Sequence, residues 1–538
     1  MYVTRNSEPM IREVSKSFPC QQSFNSLTGR VTASGFFMCK KMYITLCLHR
    51  TARIHFLRLF CYHDGSDSCS ALFYYTKMRN SAKKSNRLLN FVPRYHIILL
   101  DKNAEFRKKI HYACTKARYF KIQISRDRYL NKLISKKHNG LIKVVTGLRR
   151  CGKSYLLFNL FREHLRKEQI PDDHVIEIAF DAFENKKYRD PEILYPYLTQ
   201  LLTDSRMYYV LLDEVQLLDD FESVLNSLIR RSNVDVYVTG SNARFLSRDI
   251  ITEFRGRGDE VRMYPLTFAE FMSAYRGSET DGWREYVLYG GLPMIFNFPT
   301  PEQKSGFLKA LFEETYLSDI IGRNKVRNKA ELEEILNILS SSIGSLTNPK
   351  KLSDTFKSVK QKTVSQVTIK KYTEYLCDAF LIDSAVRYDI KGKKYIDTPL
   401  KYYFTDMGLR NARLNFRQVE ETHIMENIIF NELKARGYNV DVGVVVSHEV
   451  DQNGVKIRKQ REIDFVCNLG SKRYYIQSAF SMPDEAKKLQ EQKPLLQTGD
   501  GFKKIIISRD ALAPLYNEEG VLVMNIFDFL LNENSLEM

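Results

Sequence analysis

Gly147-Leu148-Arg149-Arg150-Cys151-Gly152-Lys153-Ser154 fits G-x-x-x-x-G-K-[ST], the spacing of a phosphate-cradling P-loop. Residues 141–146 before it read as a short buried strand, and residues 155–161 after it as an apolar helix. That context gives each residue of the stretch a task. The glycines let backbone N–H groups close on phosphate oxygens, and the start of the helix adds positive dipole. The Lys153 ammonium can reach the β- and γ-phosphates, and the Ser154 hydroxyl can ligate Mg²⁺. The bland alternative is a strand–turn–helix junction that matches by chance.

Working outward, residues 175–180, 208–214 and 234–241 read as three further strands separated by helical stretches. Strands alternating with helices predict an α/β fold with a parallel sheet covered on both faces. The stretch Tyr208-Tyr209-Val210-Leu211-Leu212-Asp213-Glu214 is an apolar strand ending in two acids. Such an ending is common by chance, but downstream of a P-loop in the same sheet it reads as a Walker B pattern. Asp213 then serves the Mg²⁺ shell, and Glu214 orients or deprotonates the attacking water. The fourth strand ends in Thr239-Gly240-Ser241-Asn242, where Ser241 and Asn242 are both candidates to sense the γ-phosphate. In Phe254-Arg255-Gly256-Arg257-Gly258, Arg257 is a candidate arginine finger acting in cis or in trans, against the plain reading of a solvated turn.

These stretches occur in a fixed order with Tyr264-Pro265-Leu266-Thr267-Phe268-Ala269-Glu270-Phe271 and Tyr289-Gly290-Gly291-Leu292-Pro293. Together they resemble a prokaryotic family of AAA-type ATPases that pair the ATPase core with a C-terminal domain of unknown function. The resemblance covers about residue 122 to the C-terminus. It implies an AAA-like sheet and binding of ATP with Mg²⁺.

Composition sets outer limits. With 538 residues, 43% hydrophobic and 27% charged, the chain has the make-up of a multidomain globular protein. The most apolar stretch, residues 42–60, is broken by His49, Arg50, Arg53, His55 and Arg58, so no membrane span is predicted and a cytoplasmic location is expected. The net charge of +18 is unevenly spread. Of 82 Lys/Arg and 64 Asp/Glu, residues 1–120 hold 21 and 6, and the rest hold 61 and 58, a net of only +3. Overall charge therefore says little about nucleic acid outside the first 120 residues. Those residues show no sustained periodicity and are read as a basic, low-order extension of doubtful relevance, the alternative being a nucleic-acid-touching arm. Six of the nine cysteines lie there, no C-x-x-C pair exists, and neither a zinc site nor a disulfide framework is predicted.

Four regions follow from this reading: the extension 1–120, the ATPase core 121–300, a helical and winged-helix region 301–416, and a nuclease-like α/β domain 417–538. Residues 330–346, 353–359 and 366–379 carry helical patterns, and 381–386 with 401–405 bracket a hairpin. That is the order of a winged helix, which the family resemblance also suggests. Lys360, Lys362, Lys370 and Lys371 on its helices and Lys391, Lys393 and Lys394 on its wing would meet DNA phosphates, unless they are solvated lysines of a protein-binding module. The last region reads helix, three strands, helix, strand, an order similar to the restriction-endonuclease-like core. Glu426 fits its helix acid and Asp464 its strand acid. The final pair reads Gln477-Ser478-Ala479, which lacks both the second carboxylate and the amine. A degenerate domain kept for binding is expected.

The function so predicted is a Mg-dependent ATPase that couples nucleotide state to contacts of its C-terminal domains. The competing readings are a non-hydrolysing ATP switch and a DNA-binding protein using the winged helix. An unidentified protein partner is expected, and a finger acting in trans would require an oligomer.

Overall fold

The computed structural model describes residues 41–49, 54–63, 69–77, 124–240, 256–361, 363–450 and 456–538. The chain divides into two compact units, Met1–Lys121 and Ile122–Met538. In the first, β1 (Lys41–His49), β2 (Ile54–His63) and β3 (Cys69–Lys77) form an antiparallel sheet in the order β1-β2-β3. No strands were expected there. Their residues are nonetheless rich in Tyr, Phe, Ile and Leu, which favour a pleated sheet.

The second unit opens with helix Asp127–Ser135 and β4 (Ile142–Gly147), followed by β5 (Val175–Ala179), β6 (Tyr208–Asp213), β7 (Val234–Thr239) and β8 (Gly258–Met263). They form one sheet in the order β5-β6-β7-β4-β8, and every neighbouring pair is parallel. Every residue of β4, β6 and β7 is buried, as a sheet covered on both faces requires. Alternate residues serve the two faces. Val145, Tyr209 and Leu211 enter the core on the side of helix Asp127–Ser135, while Val144, Val210 and Leu212 pack with Leu194, Leu198 and Leu225 on the other. β8 was not expected. Its sequence GDEVRM is polar, and it lies on the sheet edge, where only alternate residues need burial.

This strand order fixes the site. β7 comes after β4 and β6 in the chain but lies between them, so the ends of three strands meet at one place.

Beyond the five-stranded sheet, helices Lys329–Ser341, Pro349–Lys360 and Gln366–Asp378 precede the hairpin β9 (Ile382–Asp389) and β10 (Lys394–Phe404). The C-terminal elements are helix Glu421–Ala435, β11 (Asn439–Val450), β12 (Lys456–Leu469), β13 (Lys472–Ala479), helix Glu485–Leu496, β14 (Lys503–Ser508), β15 (Leu515–Tyr516) and β16 (Leu522–Asn525). Residues 442–444 of β11 pair in parallel with 387–389 of β9. The hairpin is thereby part of a single eight-stranded sheet, β10-β9-β11-β12-β13-β14-β16-β15, which runs across the expected boundary at residue 416.

The Gly290-Gly291 pair of the Tyr289–Pro293 stretch seats the carboxylate of Asp406. Gly291 N–H donates to Asp406 Oδ2 at 2.8 Å, and Leu409 N–H to Oδ1 at 3.0 Å. A Cβ on Gly290, which has φ +74°, would lie 2.4 Å from that carboxylate. Asn411 Nδ2 adds bonds to the carbonyls of Val287 and Leu288 at 2.9 and 3.0 Å. The segment that follows the five-stranded sheet is thus fastened to helix Met407–Arg413. Burial pushes Asp406 up to about 6, against the backbone N–H donors of Leu409, Gly291, Gly408 and Leu292.

Candidate functional site

The P-loop leaves β4 at Gly147, where φ is +134° and a Cβ would sit 2.0 Å from the Met263 carbonyl oxygen of β8. Only glycine passes there. The chain turns through Arg150 (φ +64°) and Gly152 (φ +106°), both left-handed, and the helix begins at Lys153. That helix runs as Lys153–Tyr155, the wider π-turn segment Leu156–Phe161 and Arg162–Lys167.

Within the loop, Leu148 and Cys151 are buried and anchor it, while Arg149 and Arg150 are exposed. Lys153 is only 4% exposed, and its ammonium donates to the carbonyls of Gly147 and Leu148 at 3.0 and 3.1 Å. Among the described residues it makes no ion pair. It is a buried cation satisfied by neutral oxygens, which an anionic phosphate can outcompete.

Ser154 Oγ donates to Asp213 Oδ1 at 3.0 Å. Thr239, the last residue of β7, donates its hydroxyl to the same oxygen and accepts the Glu214 N–H at 3.0 Å. The intermediate position of β7 puts this hydroxyl between the P-loop and the acidic strand. Burial raises the Asp213 carboxyl above its ordinary value; the Thr239 and Ser154 hydroxyls oppose this, and the Glu214 and Asp181 carboxylates add to it. A buried carboxylate that meets two hydroxyls, and no cation among the described residues, fits the protein side of a Mg²⁺ shell. Glu214 is held in the left-handed region at φ +53°, and Gln216 Nε2 donates to its carboxylate.

Sequence reasoning overlooked three residues here. Thr239 was passed over for Ser241 and Asn242, both of which lie outside the described residues. Arg126 is buried behind the loop, donating to the carbonyls of Cys151 and Tyr264 at 3.3 and 2.5 Å and pairing with Glu270 at 3.1 Å. Glu270 in turn closes the capping box of helix Phe268–Ala274 with Thr267, which explains the order of the 264–271 stretch. Tyr316 donates its hydroxyl to the Arg149 carbonyl at 2.6 Å, and the Arg149 guanidinium pairs with Asp319. No local pattern announces these contacts, because their partners lie far away in the chain.

Arg257 needs a correction. Its carbonyl accepts the Ile142 N–H at 2.8 Å, and Gly258 pairs with Ile142 at the start of β4. The P-loop leaves the opposite end of that strand, about 16 Å away at strand rise. Arg257 cannot reach the phosphates of its own chain, so a finger acting in cis is ruled out.

A second cluster lies in the C-terminal sheet. Glu426 and Asp464 come together as expected, but around Lys401 of β10, which the sequence reading placed only in a hairpin strand. Lys401 Nζ stands 2.9 Å from Glu426 Oε1, 2.7 Å from Glu462 Oε1 and 3.3 Å from Asp464 Oδ1. Burial works against this ammonium, but the Tyr403 hydroxyl and the Glu426, Asp464 and Glu462 carboxylates carry it well above the ordinary lysine range. Gln477 lies alongside, accepting the Asp464 N–H at 3.4 Å and donating to Glu491 at 3.0 Å.

Comparison with known proteins agrees with this layout. A family model described as an AAA domain matches residues 139–272, and one described as a domain of unknown function matches residues 280–420. An uncharacterised protein of Haemophilus influenzae is 34% identical over 420 residues, covering 76% of this chain and 99% of the relative. One of Methanocaldococcus jannaschii is 28% identical over 446 residues, covering 80% and 93%. Among solved structures, a Walker-type ATPase of Pyrococcus abyssi aligns with 54% of this chain and 96% of its own, at 15% identity and a TM-score of 0.39.

Proposed function

The chain belongs to the family of AAA-domain proteins that join this P-loop domain to a domain of unknown function, and from that premise we propose that it is a Mg-dependent ATPase whose nucleotide state is coupled to its C-terminal domains. The observation that carries the reading is the convergence of the Ser154 and Thr239 hydroxyls on one buried oxygen of Asp213.

Lys153 would leave the Gly147 and Leu148 carbonyls for phosphate oxygens, with the loop N–H groups from Leu148 to Ser154 around them. Ser154 and Asp213 would hold Mg²⁺, which neutralises charge on the transferring phosphoryl group. Glu214 orients the attacking water and takes its proton. Thr239 fixes both acids, one through its carboxylate and the other through its backbone N–H. Coupling would start at the P-loop itself, since Tyr316 and Asp319 touch Arg149 from the helical region. The Asp406 socket then ties the core to the C-terminal sheet.

Phosphate release from Mg-ATP tests the reading. Release by the native chain, abolished in Lys153→Ala and Glu214→Gln, supports it. ATP binding with no release by the native chain would leave the switch reading instead.

The position of Arg257 favours one further point. A finger role for it requires a neighbouring chain, and so an oligomer. The three helices and the hairpin support a winged helix, and the exposed Lys391, Lys393 and Lys394 at its tip support contact with DNA backbone. The C-terminal order of helix, three strands, helix and strand supports a degenerate restriction-endonuclease-like domain. No helix among the described residues is long and apolar enough to cross a membrane.

A further inference from the structure

The carboxylates of the C-terminal sheet surround a cation that the protein supplies itself. A divalent-metal site needs carboxylate oxygens with free lone pairs facing a place that water and substrate can enter. Here oxygens of all three acids already face the protein's own donors. Glu426 Oε1 accepts from both Lys401 Nζ and Tyr403 Oη, the latter at 2.8 Å. Asp464 Oδ1 faces Lys401, and Oδ2 accepts the Ser478 N–H at 2.9 Å. Gln477, where a further carboxylate would be needed, is neutral, with its oxygen and its nitrogen both engaged. The Lys401 side chain is 4% exposed, and those of Glu426 and Asp464 are 11%. Among the described residues, no group of three or more His, Cys, Asp or Glu side chains is placed to hold a metal ion. The residues therefore do not fit a resident metal.

We infer that Lys401 is the resident cation of the Glu426–Glu462–Asp464 cluster, and that removing its charge opens a divalent-metal site there. The charge balance supports this. One ammonium lies within 3.3 Å of three acids, so its loss leaves Glu426, Glu462 and Asp464 converging on the place it held. Burial cannot tolerate that without protonation or a replacement cation. The inference stands on the geometry of this cluster. The nuclease-like reading contributes only the expectation that a metal would be sought at Glu426 and Asp464.

Mn²⁺ titration of the nucleotide-free full chain tests it, in an Asp213→Asn background so that the Ser154–Asp213 site does not contribute. With Lys401 present, no Mn²⁺ site dependent on Asp464 is expected. Adding Lys401→Met should create one, at least about tenfold tighter than any background binding, and a further Asp464→Asn should remove it. If Lys401→Met does not fold, Lys401→Met/Glu462→Gln carries the test, because Glu462 is the most exposed of the three acids. The inference is overturned if Mn²⁺ binds while Lys401 is intact and Asp464→Asn abolishes that binding. It is equally overturned if neither Lys401 variant gains a site.

Discussion

Two buried lysines of this molecule, Lys153 and Lys401, are each 4% and 3% exposed, but their partners differ. Lys153 donates to two backbone carbonyls of its own loop. Lys401 is surrounded by three carboxylates from β12 and the helix Glu421–Ala435. Neutral partners satisfy an ammonium without cancelling its charge, so Lys153 still attracts an anion. Carboxylate partners consume the charge, so Lys401 holds structure together. The same side chain, equally buried, becomes a ligand-binding group in one place and a structural cation in the other because of what it touches.

Substitutions can break this contrast. The largest effect is expected at the phosphate site: Glu214→Gln should lower phosphate release by about 10²- to 10⁴-fold while ATP still binds, as measured by steady-state turnover and by nucleotide binding. Next is the structural lysine. Lys401→Ala leaves buried carboxylates unpaired and should cost about 3–5 kcal/mol in denaturant unfolding, whereas Lys153→Ala should cost within about 1 kcal/mol. Equal costs would erase the distinction. Smaller still, Thr239→Val removes the hydroxyl shared by Asp213 and the Glu214 N–H. It should cost about 1–3 kcal/mol and reduce turnover more than ATP affinity.

The smallest effect concerns a buried charge of the opposite sign. Asp406, held by backbone N–H groups, titrates at about 6 in the folded chain and near about 4 when unfolded. A raised carboxyl favours the folded state when protonated. Its contribution is therefore complete below about pH 4 and is lost as pH rises through 6. The difference in unfolding midpoint between the native chain and Asp406→Asn should change between pH 4 and 6 and be flat above.

The parts of the fold that could be read locally were those whose chemistry is local. The P-loop spacing, the acid pair ending β6 and the buried strands each carry their own signal. β8 did not, because an edge strand tolerates Gly-Asp-Glu at positions where a central strand would not. Thr239 looked like one more β-branched residue of a buried strand, and only the placement of β7 between β4 and β6 gives its hydroxyl a role. Arg126 and Lys401 were invisible for the same reason, since their partners are distant in the chain. Glu426 and Asp464 could be located from element order, but the cation between them could not. Arg257 misled in the other direction, because a Gly-Arg-Gly turn shows its exposure but not which end of the sheet it occupies.

The most direct measurement is the unfolding midpoint of the native chain and of Lys153→Ala, each with and without Mg-ATP. A ligand at about one hundred times its Kd should stabilise the native chain by about 2.7 kcal/mol. The account predicts that rise for the native chain and none for Lys153→Ala, with the two chains equally stable without nucleotide. A rise that survives in Lys153→Ala would contradict it.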